Sequence, residues 1–232
     1  MSAPGGSGTS AERFGLTYRF ESPVPGAAGE GLTILALHGT GGDEHDLVPL
    51  ARMVAPGAAV LSPRGAVLEH GMPRFFRRLA EGVFDLEDLA RRTEALGDWL
   101  DAAAAHHAGD GVRRERVVAV GFSNGANVAA SLLLRRPGAL AGALLLRAMV
   151  PFEPAAPVVP GAVRPRVTIV AGRADPIVPA AQATRLAELL RGAGCDAALE
   201  WVAAGHQLTQ RDVELGRALV GAVAVPVEGG RR

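Results

Sequence analysis

Three polar residues have neighbours that suit covalent chemistry. Ser123 lies in Gly121-Phe122-Ser123-Asn124-Gly125, straight after the apolar run "VVAV" and before a helical run from Ala126 to Leu134. A serine on a sharp strand-to-helix turn projects its hydroxyl from the sheet, and glycines two residues to either side let helix and strand approach closely. The plainer alternative is that Ser123 merely caps the helix, as serine often does. Asp175 follows the apolar run "RVTIVAG" by a few residues, with Pro176 and Pro179 preventing the loop from continuing as strand. By itself it reads equally well as an N-cap for the next helix. His206 follows "ALEWVAA", with Gly205 letting the backbone turn; a lone loop histidine is more often solvated surface. Taken jointly they fit one reaction. An imidazole can take the proton of a serine hydroxyl, and a carboxylate can fix the imidazole tautomer and steady its cation.

Elements that bring these residues together are visible as alternating patterns. Apolar runs at 32–37, 58–63, 116–121, 141–146, 166–172 and 198–204 read as strands, with 16–22 as an edge strand. Helical patterns cover 46–53, 86–107, 124–136, 180–193 and 209–220, and the longest carries Leu86, Leu89, Leu96, Trp99 and Leu100 at helical spacing. Non-alternating apolar strands that take turns with helices imply a mostly parallel sheet covered on both faces. Ligands of such sheets sit beyond the C-terminal strand ends. Ser123, Asp175 and His206 all fall there, in that order.

Composition narrows the alternatives. The chain has 232 residues, enough for one domain with a large core. Residues 1–12 read as a disordered N-terminal tail, 13–225 as a single domain and 226–232 as a flexible C-terminal tail. The formal net charge is zero, which gives no electrostatic case for nucleic acid or an acidic membrane. There is no lysine, so Schiff-base chemistry and lysine-dependent phosphate loops are excluded. The only cysteine, Cys195, forbids an intramolecular disulfide. No apolar stretch is long enough to span a bilayer and no signal peptide is evident, so a cytoplasmic location is expected. Gly39-Thr40-Gly41-Gly42 lacks dinucleotide-loop spacing, because Glu44 stands where a glycine would be needed. The acids Asp43 to Asp46 read as the solvated first turn of the 46–53 helix, favoured by its dipole, rather than as metal ligands. Among the other histidines, His38 reads as structural, His45 as part of that first turn, His70 as a loop residue, and His106 and His107 as dipole-compatible residues near a helix end.

The segments "LHGTGGDEHDLVPLA", "SPRG", "GMPRFFRR", "GFSNGANVAASLLL", "GRADPIVP" and "GHQLT" together resemble the α/β-hydrolase superfamily. Within it they resemble the small carboxylesterase/phospholipase family, in the branch of predicted esterases related to the methylhydroquinone-associated hydrolase. The resemblance implies an α/β-hydrolase fold with Ser123 as nucleophile, Asp175 as acid and His206 as base. It also implies that the backbone N–H groups of Thr40 and Asn124 form an oxyanion hole, so Thr40→Ala should be mild and Thr40→Pro severe. A homodimer is implied at the family level only. A dienelactone hydrolase relative would be expected to use cysteine, and here the elbow holds serine.

Only a Pro-, Ala- and Val-rich stretch separates 141–146 from 166–172, so no lid domain is expected and the site should be open, lined by Met149, Val150 and Phe152. The 62–85 insertion carries Phe75 and Phe76 beside Arg74, Arg77 and Arg78. Two alternatives stand for it: an acyl groove with one arginine, such as Arg74, meeting an anionic substrate group, or ordinary packing with the arginines paired to Glu81, Asp85 or Glu87. The expected function is a cofactor-free, metal-free serine carboxylesterase acting on small to medium carboxylic esters. Thioesters and lysophospholipids are rival substrates, and a non-catalytic ligand-binding hydrolase fold is the rival of another class. The last would bind without turnover and escape a fluorophosphonate probe.

Overall fold

The structure, a computed structural model, describes residues 10–224. Residues 1–9 and 225–232 lie outside the described residues, and with them most of the N-terminal tail and all of the 226–232 tail expected above.

In chain order the strands are β1 (Ser10–Arg13), β2 (Leu16–Glu21), β3 (Thr33–Leu37), β4 (Ala59–Pro63), β5 (Val67–Glu69), β6 (Met72–Arg74), β7 (Arg78–Ala80), β8 (Val83–Phe84), β9 (Val117–Phe122), β10 (Gly142–Leu146), β11 (Arg166–Gly172) and β12 (Asp196–Val202). The α-helices are α1 (Val48–Val54), α2 (Leu86–His106), α3 (Asn124–Arg135), α4 (Ala180–Gly192) and α5 (Gln210–Ala224). Eight strands form one sheet in the order β1-β2-β4-β3-β9-β10-β11-β12. From β4 to β12 every neighbouring pair is parallel, while β2 runs antiparallel to both β4 and β1. β1 starts at Ser10, so the last part of the expected tail is already strand.

Burial on both faces accounts for the uninterrupted apolar runs. In β3 all five residues are buried: Leu35 and Leu37 point to the layer with α2, α3 and α4, whereas Ile34 and Ala36 point to the layer with α1 and α5. Val117 and Ala119 against Val118 and Val120 repeat that division in β9. Helix α2 buries Leu89, Thr93, Leu96, Trp99, Leu100 and Ala103, and Asp85 caps it by accepting the Asp88 N–H at 3.0 Å. Leu86, assigned to that apolar face by spacing, is 55% exposed: as the first helical residue it lies beyond the end of the packed stripe.

Two expectations near the site need correction. Helix α1 begins at Val48 with Pro49 in its first turn, so Asp43 to Asp46 and His45 precede the helix and form turns. Glu44 is not solvated either. It is buried, and Arg64 binds both its oxygens, at 2.5 and 2.9 Å. His107, which caps the C-terminal end of α2 as the sequence position suggests, is also packed: it meets the Tyr18 hydroxyl at 3.0 Å and Asp110 at 2.9 Å and stacks on Phe20.

Candidate active site

Ser123 is the single residue between β9 and α3, with φ 52° and ψ −113°. A non-glycine residue there is strained, at a cost of order 1–3 kcal/mol that the flanking structure must hold in place. Two backbone bonds do so: the Ser123 N–H donates to Leu146 O at 2.9 Å, and Ser123 O accepts the Asn127 N–H at 2.9 Å. The glycines serve close approach. A Cβ on Gly121 would stand 2.8 Å from the Ala126 backbone, and one on Gly125 only 2.0 Å from Leu37 O. The Ser123 side chain makes no cap bond to α3, so the capping alternative fails. Its Oγ instead lies 3.0 Å from His206 Nε2.

His206 sits in the loop between β12 and α5, its ring beside Phe122. Its Nδ1 is 2.9 Å from Asp175 Oδ2. Asp175 follows β11, and its side chain is 1% exposed. It does not cap α4, whose N-cap is Pro179; it closes its own turn, with Oδ1 accepting the N–H groups of Ile177 (2.8 Å) and Val178 (3.0 Å). Burial alone would favour the neutral acid. The two amides and the hydrogen bond and charge of His206 outweigh it and hold the pKa below the ordinary aspartate value.

Beside Ser123 runs the loop after β3. His38 is buried in it and accepts the Gly65 N–H at Nε2 (2.9 Å), so Nδ1 carries the proton and donates to Gly39 O (2.6 Å). Burial lowers its pKa, outweighing the Gly39 carbonyl bond that favours the cation, and the acceptor role of Nε2 requires the neutral ring. Gly41 N–H donates to Pro73 O, and Thr40 Oγ1 accepts from Arg74 Nη1 at 2.7 Å. On the other side of the serine, Asn124 opens α3, so its amide is one of the helix-start N–H groups without an intrahelical acceptor. Its Oδ1 accepts the Phe75 N–H at 2.8 Å. The β5–β6 hairpin thus ties the loop after β3, and the residue that follows the hairpin, Phe75, ties the start of α3.

That hairpin settles the placement of the 74–78 cluster. Phe76 is fully buried against Phe84, Phe75 packs on His38, and Arg74 is almost completely buried, bonded to Phe76 O and paired with Glu69 at 3.2 Å. Phe76 and Arg74 belong to packing rather than to an open acyl groove. Arg77 pairs with Asp85 at 2.7 Å, and Arg78 with Glu69 at 2.7 Å, a partner the sequence reading did not include. Met149, Val150 and Phe152 lie half-buried on the loop after β10, which contains no helix or strand. Val150 and Phe152 lean on the core, and Arg135 covers the Phe152 ring at 4.8 Å. Asp43, Glu44 and His45 have ligand-capable atoms within 4.8 Å of one another, with Glu44 already neutralised by Arg64.

The sequence reading also missed a fully buried pair, Arg147 and Asp212, beneath the His206 loop. Asp212 had a signal: Thr209-Gln-Arg-Asp212 is a capping box, and the Thr209 N–H donates to Asp212 Oδ2 at 2.6 Å. Arg147 had none.

The mostly parallel sheet covered on both faces, with its loops gathered at the C-terminal strand ends, is an α/β-hydrolase fold, and the proteins this chain is similar to include carboxylesterases. The sequence pattern of the family described as Phospholipase/Carboxylesterase matches residues 24–216. The chain belongs to that family. The Bacillus subtilis protein named as hydrolase MhqD is 48% identical over 184 residues, which covers 79% of this chain and 90% of that protein. The crystal structure of the Bacillus cereus carboxylesterase is 43% identical with a TM-score of 0.82, over 90% of this chain and 94% of that one. A carboxylesterase from Mesorhizobium loti is 27% identical with a TM-score of 0.83, over 93% and 99%.

Proposed function

We propose that the chain is a serine carboxylesterase in which Ser123, His206 and Asp175 work as a triad on small to medium, uncharged carboxylic esters. The observation that carries the reading is the continuous line Ser123 Oγ–His206 Nε2–His206 Nδ1–Asp175 Oδ2, at 3.0 and 2.9 Å, from a strained serine that caps nothing. Ser123 Oγ attacks the ester carbonyl as its proton passes to His206 Nε2. The negative charge that develops on the carbonyl oxygen is met by the N–H groups of Thr40 and Asn124. Collapse expels the alkoxide, which takes the proton from His206 and leaves as alcohol, and Ser123 stays acylated. Water then attacks the acyl-enzyme, giving its proton to the same imidazole, and the acid and free Ser123 are released.

The preference for uncharged esters is supported by side chains around the site. Met72 packs near Gly41, and Ile177 and Leu208 stand two residues past Asp175 and His206; all three are exposed. Arg74, Arg77 and Arg78 are committed to Glu69 and Asp85. Among the described residues no helix is long and apolar enough to cross a membrane. The cytoplasmic setting and the homodimer belong to this reading as expectations. The deciding experiment is turnover of esters and thioesters of graded chain length, neutral and anionic, with Ser123→Ala as blank and a fluorophosphonate probe as label. Neutral esters should turn over, and Ser123 should take the label. Near-normal turnover by Ser123→Ala would overturn the mechanism, and binding with neither turnover nor labelling would favour a non-catalytic protein.

A further inference from the structure

Ser123 and His206 are 83 positions apart, and their 3.0 Å contact depends on whatever holds the loop between β12 and α5. The carbonyls on either side of His206 go to one side chain. Arg147, the residue after β10, has a left-handed backbone (φ 54°) and a fully buried guanidinium. Its Nε–H donates to Gly205 O (3.2 Å) and one Nη2–H to Gln207 O (2.8 Å). One Nη1–H reaches Val170 O in β11 (3.3 Å), and the two remaining N–H groups donate to Asp212 Oδ1 (2.8 Å) and Oδ2 (3.0 Å). A guanidinium has five N–H donors, and all five are engaged. Asp212 is held equally, since its Oδ2 also accepts the N–H and hydroxyl of Thr209. One residue earlier, Leu146 O accepts the Ser123 N–H. The dipeptide Leu146-Arg147 therefore grips the peptide of the nucleophile with one residue and the loop of the base with the other.

We infer that Arg147, locked by Asp212, is a positioning residue that sets the distance and angle between Ser123 and His206. A buried ion pair is a poor source of stability, because an apolar pair of similar volume does as well or better. An apolar pair cannot, however, bond the carbonyls of Gly205 and Gln207. Lysine cannot either: its three donors radiate from one nitrogen, whereas the acceptors are spread around a planar fork. The inference rests on the reading of Ser123, His206 and Asp175 as a working triad.

Two variants test it. Arg147→Lys keeps a positive charge against Asp212 and loses the fork. Arg147→Met combined with Asp212→Asn leaves no buried charge and keeps an acceptor for Thr209, so one variant remains informative if the other fails to fold. In a folded variant, kcat on a neutral ester should fall about 10- to 100-fold, the order expected for misplacement by about an ångström, with KM within about twofold. The proton NMR resonance of the His206 Nδ1–H, held against Asp175, should shift or broaden beyond detection. A folded variant with wild-type kcat and an unchanged resonance overturns the inference, as does a change confined to KM. The resonance reports the position of His206 without any turnover, so wild-type protein that hydrolyses no ester would defeat the proposed function while the positional test still stands.

Discussion

Asp175→Asn is the substitution whose consequence the geometry fixes most tightly. Asp175 Oδ1 accepts two backbone N–H groups, from Ile177 and Val178, while Oδ2 faces His206 Nδ1. An asparagine must turn its carbonyl oxygen toward those two amides, because its NH2 group would meet two donors there. The NH2 group is then aimed at His206 Nδ1, which has to become an acceptor. The imidazole proton moves to Nε2 and points at Ser123 Oγ, 3.0 Å away, so the ring can no longer take the hydroxyl proton. A wrong tautomer of this kind lowers kcat by about 10⁴, or roughly 5.4 kcal/mol at 1.36 kcal/mol per decade. KM should hardly move, since the lost interaction belongs to the transition state.

The fold should survive. Two bonds to a charged acceptor become bonds to a neutral one, at a cost of about 1–3 kcal/mol in total. For a domain of this size each kcal/mol lowers Tm by about 2–4 °C. The stability gap also has a sign with pH. The pKa of Asp175 is depressed in the folded state, so its stabilisation is present above the ordinary aspartate value and lost as pH falls through the folded value. The gap between wild type and Asp175→Asn should therefore close on acidification. Steady-state kinetics on a neutral ester, with thermal melts over pH, make the assay. Asp175→Ala is the control: it presents no donor to Nδ1, so its kcat should not be lower than that of the asparagine variant. An asparagine variant within tenfold of wild type, or clearly faster than the alanine variant, would refute the argument from the two amides.

Glycine substitutions should separate cleanly by surroundings. At Gly125 a Cβ would lie 2.0 Å from Leu37 O and 2.6 Å from His38 O, both backbone, so Gly125→Ala should cost at least the about 1–3 kcal/mol typical of overpacking and reduce soluble yield. Gly221 in α5 has nothing within 4 Å of that position, and Gly221→Ala should stabilise by about 0.5–1 kcal/mol in a denaturant titration. Thr40→Ala, expected to be mild from the sequence, also deprives the buried Arg74 of its hydroxyl acceptor. A Tm loss of about 3–6 °C, from about 1.5 kcal/mol, should accompany near-normal kcat and be restored by Thr40→Ser; a melt equal to wild type would show that the bond does not form in solution. Burial pushes the Cys195 thiol up to about 11, so a disulfide reagent at pH 8 should leave the folded protein unlabelled and label one thiol in denaturant. Rapid labelling of folded protein would contradict that burial.

What the sequence displayed follows from which forces act locally. Strands β3, β4, β9 and β10 were visible because burial on both faces demands apolar residues at nearly every position, and β11 shows the same demand from Ile169 to Gly172; the edge strand β12, half-buried, was visible only through the run around Leu199 to Val202. The hairpins β5–β6 and β7–β8 were not, since each pairs only two or three residues per strand across a tight turn, too short a run to show alternation. Strand β1, with the sequence Ser-Ala-Glu-Arg, exists only through its ladder with β2. Pro49 marked the true start of α1, and the acids before it had drawn the boundary too early. Ser123, Asp175 and His206 were legible because glycines and prolines punctuate the chain beside each of them. Their supports were not, because partnership over long separations leaves no local pattern: Arg147 meets Asp212 65 positions away, and Arg74 meets Thr40 at 34.

Those supports share a chemistry that the absence of lysine makes visible. Arg64 forks onto Glu44 beneath the 43–46 turn, Arg74 bridges Thr40 and Phe76 O, and Arg147 bridges two carbonyls and a carboxylate beneath His206. Arg74 and Arg147 each bond acceptors from separate segments through one planar group, and Arg64 forks onto both oxygens of a single carboxylate, geometries that a single ammonium with radiating donors does not reproduce. Loops at the C-terminal ends of a parallel sheet have no ladder of their own, so their backbone carbonyls need donors from elsewhere. A buried guanidinium supplies several at fixed mutual angles and needs only one carboxylate to balance its charge. Arginine-to-lysine changes at the buried positions 74 and 147 should therefore lower Tm more than losing any single surface ion pair, such as Arg185 with Glu153.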